Sequence, residues 1–382
     1  MNGTARARMA TMALMLVTMV EACSRSEPPA PPPLPVTTTP ATPFPAATLS
    51  PEAAPAAPVE TPGLETTPAP FAPSSPLASP LETPAPSPSV AAASPSPESS
   101  ARSARDPLRL QVLLDRAHFS PGEIDGASGG NTARALDAFR RERRLRASGP
   151  ATEDDWRALE TDGAPTLVDY TLTEKDVKGP YQKVIPTDMM DKAKLEALSY
   201  TSPLEALGER FHASPKLLRT LNPGKSFARA GEGVRVLDVH TDPSGKAAKV
   251  VVTESDQSVV VLDSGGRILA RYPATMGSEH DPLPIGNWKV NGVSKDPPFF
   301  YNPDLFWDAK GEHSKAKIPP GPNNPVGVVW IDLSKEHYGI HGTPEPSKVG
   351  KTESHGCIRL TNWDADELSR MVSPGIPAML QR

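Results

Sequence analysis

The chain of 382 residues has only two cysteines, Cys23 and Cys357, at opposite ends and separated by a long proline-rich tract, which argues against a disulfide framework. Its 40 Lys+Arg against 45 Asp+Glu leave a net charge of −5, which speaks against a nucleic-acid-binding surface. It has no glycine-rich phosphate loop, so no nucleotide site is expected. The apolar run from Met9 to Val20 is too short to span a bilayer. Apolar residues make up only 37% of the chain, low for one globular body of this length. Lys, Arg and Asp are missing altogether from residues 28–97, a stretch that holds 23 of the 47 prolines and cannot build a core. What remains is about 275 residues, room for two or three modest domains.

Arg6 and Arg8 precede the apolar run, as in an export signal. The Val20-Glu21-Ala22-Cys23 that follows resembles a bacterial lipobox, in which cleavage leaves a cysteine to receive acyl chains. Glu21 stands where a small or apolar residue is usual, and Val20 and Ala22 also suit an ordinary signal peptidase, which would release a soluble chain. Ser24 resembles the outer-membrane sorting position of Gram-negative lipoproteins. The resemblance implies a signal over 1–23, lipidation of Cys23, and a periplasmic, outer-membrane-anchored protein. Residues 24–106 are then a disordered Pro-rich linker, about 240 Å long if fully extended and nearer 50 Å as a flexible coil.

From Leu108 the pattern turns globular. Leu110, Leu113, Leu114 and Ala117 recur on one helical face, and Ser120-Pro121-Gly122 and Asp125-Gly126 form turns. Asn131 is placed to cap a second helix carrying Ala135, Leu136 and Phe139, and Thr152 with Asp155 to open a third with Trp156 and Leu159 inward. Residues 107–162 resemble the small helical peptidoglycan-binding domain of cell-wall enzymes, which implies contact with glycan strands. Within 166–240, two short amphipathic helices before Asn222-Pro223-Gly224 and a strand-like Val234 to Leu237 resemble a degenerate LysM unit, or serve as a spacer.

Beyond Lys249 the runs are short and β-like: 250–253, 258–262, 268–274, 288–290 and 326–331, with one late helix from Asn362 as cap to Met371. The expected architecture is therefore multidomain, with a mainly-β sandwich at 247–382 beside the three-helix module and the linker. Into it fall Ile340-His341-Gly342-Thr343 and Ser354-His355-Gly356-Cys357-Ile358-Arg359-Leu360. A thiol nucleophile needs a base, and His341 supplies one if the intervening loop folds back on Cys357. Gly356 lets amide N–H groups near Cys357 approach a reacting carbonyl. In an extended segment His355, Cys357 and Arg359 share a face while Ile358 and Leu360 point inward.

These residues, with Met276-Gly277 and Pro284-x-Gly286-x-Trp288, closely resemble the YkuD family of L,D-transpeptidases. The resemblance implies a β-rich sandwich in which Cys357 is the nucleophile, His341 the general base, and Gly342, Ser354, His355, Gly356 and Arg359 bind substrate, without cofactor or metal. The implied reaction joins peptidoglycan stem peptides by 3→3 cross-links through a cysteine thioester with release of D-alanine, serving wall organisation and cell shape. An L,D-carboxypeptidase, a lipoprotein-to-wall ligase, or a non-catalytic wall-binding lipoprotein are the alternatives. His280 and the insertion from Asp296 to Pro325 look less standard. A zinc site built from His337, His341, His355 and Cys357 is the rival chemistry, disfavoured because His337 lies on a solvent-facing loop. Trp288, Trp307 and Trp330 read as core or pocket-wall aromatics.

Overall fold

Asp106 accepts a hydrogen bond from the Leu108 amide and Pro107 takes the first helical position, so α1 (Pro107–Arg116) begins there. The computed structural model describes residues 106–382 apart from 147, 162, 240 and 244; the signal, Cys23 and the linker up to residue 105 lie outside the described residues. Helices α2 (Gly130–Arg143) and α3 (Glu153–Leu159) follow, and α3 opens on the Thr152–Asp155 capping box. Asn131 is not the cap of α2. Gly129 is, while the Asn131 Nδ2 donates to the Val349 carbonyl at 2.9 Å, a buried distant acceptor that outcompetes the local role. Leu113, Leu114, Phe119, Leu136, Phe139 and Trp156 pack into one cluster. Beside it the buried Arg140 grips Asp155 through two hydrogen bonds, 3.0 and 2.7 Å.

Strand β1 (Leu167–Thr171), single-turn helices α4 (Glu174–Lys178) and α5 (Met189–Lys192), helices α6 (Pro203–Arg210) and α7 (Pro215–Leu221), and strand β2 (Gly233–Leu237) come next. β1 and β2 pair antiparallel from Leu167↔Leu237 to Thr171↔Gly233. Asn222 ties the end of α7 to β2, donating to the Arg235 carbonyl at 2.7 Å and accepting from its amide at 2.6 Å.

The remaining strands are β3 (Lys249–Thr253), β4 (Ser258–Leu262), β5 (Ile268–Pro273), β6 (Gly286–Lys295), β7 (Phe299–Tyr301), β8 (Ala316–Ile318), β9 (Val329–Leu333), β10 (Gly339–His341), β11 (Ile358–Arg359) and β12 (Pro377–Gln381), with helix α8 (Asn362–Met371) before the last. Eight of them form one sheet in the order β11-β10-β9-β6-β12-β3-β4-β5, while β7 and β8 pair as a separate hairpin. The first residues of β6 pair with β12 and the later ones with β9, with an irregularity between Val290 and Gly292. The mainly-β domain is thus one curled sheet whose halves share β6, in place of a sandwich of separate sheets. Both halves bury onto a common core with Ala365, Leu368 and Met371 of α8.

Two boundaries differ from expectation. Thr361, not Asn362, caps α8, its hydroxyl accepting from the Asp364 amide. The Asn362 amide is drawn away by Val328 N, Glu209 and the Pro322 carbonyl, each at 3.2 Å. β9 starts at Val329 rather than 326, because the chain turns at Gly327, φ +62°.

The turn after α1 runs along edge strand β5, with Ser120 N donating to Arg271 O at 2.9 Å and Arg271 N to His118 O at 2.8 Å, so that edge is covered. Behind it lies a buried polar cluster: His118 against Glu367 (3.0 Å), His212 against Asp115 (2.9 Å) and Ser120 donating to Asp364 (3.1 Å). Burial pushes Glu209 and Asp364 up to about 8. For the two histidines burial opposes the charge, and Glu367 beside His118 and Asp115 beside His212 outweigh it and raise both. All four groups bind protons more tightly folded than unfolded. Their stabilisation is greatest in acid, and it is lost as pH rises, for the carboxyls from their unfolded values up to about 8 and for the histidines through their raised values. Calorimetry at mildly acid and mildly alkaline pH should therefore give the higher Tm in acid, with Asp364→Asn flattening the dependence.

Candidate active site

Ile340 and Ile358 are fully buried and face each other across the parallel β10–β11 pair, and His341 is in register with Arg359. Strand alternation then turns His341, Cys357 and Arg359 to the opposite face. There they line a cavity of about 1020 Å³ together with Trp330, Tyr338 and His355. Cys357 lies one residue before Ile358, so Gly339 comes opposite it, and the Gly339 amide hydrogen-bonds the sulfur. His341 and Cys357 are thus diagonal neighbours on paired strands.

His341 is 3% exposed and stacks on Trp330, ring centroids 5.5 Å apart. Its Nδ1 lies 2.6 Å from the Gly342 carbonyl, which can only accept, so Nδ1 carries the hydrogen and Nε2 keeps a free lone pair. Burial, then the Arg359 charge, pull its pKa down to about 3 against the pull of that carbonyl. Burial pushes the Cys357 thiol up, opposed by the Gly339 amide and Arg359, and its Sγ donates to the His337 carbonyl at 3.7 Å. The resting pair is therefore neutral thiol and neutral imidazole, not the thiolate–imidazolium ion pair.

The other expected residues divide by place. Arg359 and His355 line the cavity, His355 holding Asp308 through Nε2 at 3.1 Å and packing on Phe306 and Trp307. Ser354 is buried, and its hydroxyl donates to the Cys357 carbonyl at 2.7 Å, closing the turn that presents the cysteine. The segment is not a continuous strand there, since Gly356 has φ +91° and a Cβ on it would meet the Tyr338 ring at 2.8 Å. Gly342 supplies the carbonyl for His341, and a side chain on it would strike Asn362 Oδ1 at 2.2 Å. His337 is exposed and pairs with Glu336, and among the described residues no group of three or more His, Cys, Asp or Glu side chains could hold a metal.

Tyr338, Asp308 and Asn362 were not legible as parts of this site. Asn362 and Asp308 reach it from α8 and the insertion, and only the closeness of Tyr338 to the His-Gly motif was a local signal.

Comparison with known proteins finds similarity in the same part of the chain. Residues 247–378 match the family model of the YkuD L,D-transpeptidase catalytic domain. The putative L,D-transpeptidase YkuD of Bacillus licheniformis is 28% identical over 174 residues, 45% of this chain and 89% of that one. The probable L,D-transpeptidase YbiS of Escherichia coli is 26% identical over 181 residues, 46% of this chain and 58% of that one. Among solved structures, an L,D-transpeptidase from Mycobacterium smegmatis aligns over 35% of this chain and 58% of its own, with 23% identity and a TM-score of 0.28. Residues 247–378, which hold the curled sheet and the strands carrying His341 and Cys357, are thus similar to the L,D-transpeptidase catalytic domain of the YkuD family.

Proposed function

We propose that the chain is a peptidoglycan L,D-transpeptidase that forms 3→3 cross-links between wall stem peptides. The observation that carries this reading is the common cavity face of His341, Cys357 and Arg359, with the His341 Nδ1 committed to Gly342 so that Nε2 is the free base. The Cys357 proton passes to Nε2 as sulfur attacks the carbonyl of the third residue of a stem tetrapeptide. The oxyanion meets amide N–H groups of the 356–357 turn, which approach closely because residue 356 lacks a Cβ. The C–N bond to D-alanine breaks, Nε2 returns the proton to the leaving amine, and a thioester remains. A side-chain amine of a second stem then attacks the thioester, sulfur leaves, and the thiol is restored. Arg359 binds a donor carboxylate or carbonyl, and His355 shapes the pocket.

Residues 107–162 hold glycan strands in this reading, and 166–240 act as a LysM-like or spacing unit. The chain works in the periplasm, carried on the 24–106 linker from an acylated Cys23 in the outer membrane. The deciding experiment incubates the full chain with purified sacculi, digests the glycan and separates the muropeptides by mass spectrometry. A 3→3 linked dimer with free D-alanine is the expected product. Shortened tripeptides alone would make the enzyme a carboxypeptidase, and unchanged muropeptides would remove the catalytic reading.

A further inference from the structure

We infer that the segment 185–199, upstream of the family-matched residues, belongs to the substrate-recognition apparatus, with Asp188 as the positioning residue that holds the cavity's outer wall against the stem peptide. This rests on the transpeptidase reading and names a part of the chain that binds its donor.

The insertion forms the β7–β8 hairpin, and a two-stranded hairpin alone is marginal in water. Its two buried side chains, Tyr301 and Ile318, share their cluster with Leu198, and Met189, Met190 and Leu195 pack on it. The hairpin therefore owes its core to the upstream segment. Backbone bonds stitch the two together: Leu198 N donates to Pro320 O at 2.9 Å, and Asn323 N to Leu198 O at 3.0 Å. The Asn323 side chain donates to Ser199 O at 2.9 Å. Gly321, at φ +136°, permits this approach, since a Cβ there would sit 2.4 Å from Leu198 O.

Charge completes the seam. One Asp188 oxygen takes Lys310 Nζ at 2.7 Å and His313 Nε2 at 3.1 Å, while the other accepts from the Met190 amide at 2.8 Å. A carboxylate only accepts, so His313 donates through Nε2, and its Nδ1 is hydrogen-bonded to the Tyr301 hydroxyl at 2.9 Å. One side chain thus ties the upstream segment to both the loop and the core tyrosine of the insertion, by charge-assisted bonds. The same loop reaches the nucleophile turn at its near end, where Asp308 holds His355.

Thr187, Asp188 and Met189 line the same cavity as Cys357. None of them bonds to His341, Cys357 or Arg359 among the described contacts. The cavity they share with Cys357, about 1020 Å³, is large enough to take a ligand several residues long. A wall so placed selects the extended peptide and leaves the reactivity of the thiol alone.

Asp188→Asn is the informative substitution, because asparagine still caps α5 while the ion pairs are lost. Stem tetrapeptide binding is measured by calorimetry on the full chain carrying Cys357→Ala, with and without Asp188→Asn. Alkylation by iodoacetamide is timed on the chain that keeps its cysteine. The expected result is a Kd raised about tenfold by Asp188→Asn with alkylation changed by less than about twofold, and a smaller rise with Lys310→Met. Equal Kd values overturn this inference and leave the proposed function standing. Weaker binding together with altered alkylation marks a general loosening of the site and overturns it too. Absence of tetrapeptide binding by either chain brings down the transpeptidase reading and this inference with it.

Discussion

Cys357→Ala is expected to abolish thioester formation and cross-linking, and His341→Ala to slow acylation by about 10²- to 10⁴-fold, the usual worth of a general base. The two effects have different pH signatures. Wild-type His341 has its pKa pulled down to about 3, so it stays unprotonated and competent as a base across the neutral and mildly acid range. The thiol is pushed above its ordinary value, so direct ionisation contributes only in alkali. Acylation by the wild type should therefore show no loss through the ordinary histidine range near pH 6.5, where an unperturbed imidazole would take up a proton and cease to act as a base. The His341→Ala chain should instead depend on hydroxide, with a rate rising steadily into alkali. Stopped-flow acylation across pH, with adduct mass as the endpoint, checks both. A cross-linking Cys357→Ala chain would refute the nucleophile assignment, and an acid limb near 6.5 that vanishes in His341→Ala would refute the lowered His341 pKa.

The largest effect on stability is expected at Asp155. Its side chain is fully buried, as is the Arg140 guanidinium that it neutralises, and it also accepts from the Thr152 amide at 2.7 Å. Asp155→Ala leaves the buried cation with the Gly149 and Pro150 carbonyls and the half-exposed Asp137 at 3.1 Å, a loss towards the lower end of the about 3–5 kcal/mol expected for breaking a buried pair from one side. The lost capping box adds about 1 kcal/mol. Replacing both members by apolar residues, Arg140→Met with Asp155→Leu, should recover a large part of this, because no unpaired charge remains. Urea unfolding of the single and double variants measures the difference. Equal destabilisation by both would show that the pair's net contribution, and not the stranded charge, carries the cost.

What the amino-acid pattern discloses is the chemistry and the parts of the fold that short spacing controls. Thr152 and Asp155 lie three residues apart and cap as their spacing says. Ile358 and Leu360 are buried as alternation requires, and the strand over 258–262 has the expected bounds. Asn131 and Asn362 have the right residue type at the right place to cap, and both are claimed by partners far away in sequence. No local rule announces such competition. β10 and β11 are three and two residues long, too short for a periodic signal, and exist because β9 provides a neighbour to pair with. The insertion, rich in Pro, Gly and Asn, carries turn signals throughout, yet folds as a hairpin because Leu198 and its neighbours cover it. The candidate pair His341 and Cys357 stands out in the sequence because its residue types are rare together; its protonation state does not, since that depends on how deeply the ring and sulfur are buried.

The position of β12 has a kinetic consequence. It lies between β3 and β6, and Val250 pairs with Ala378, so the middle of the sheet is closed by segments from the two ends of the matched region. Joining strands so distant in sequence demands an entropic outlay before any contact repays it, which makes this seam a late and slow event. Until it closes, both halves present raw strand edges, and the chain's own refolding competes with clumping.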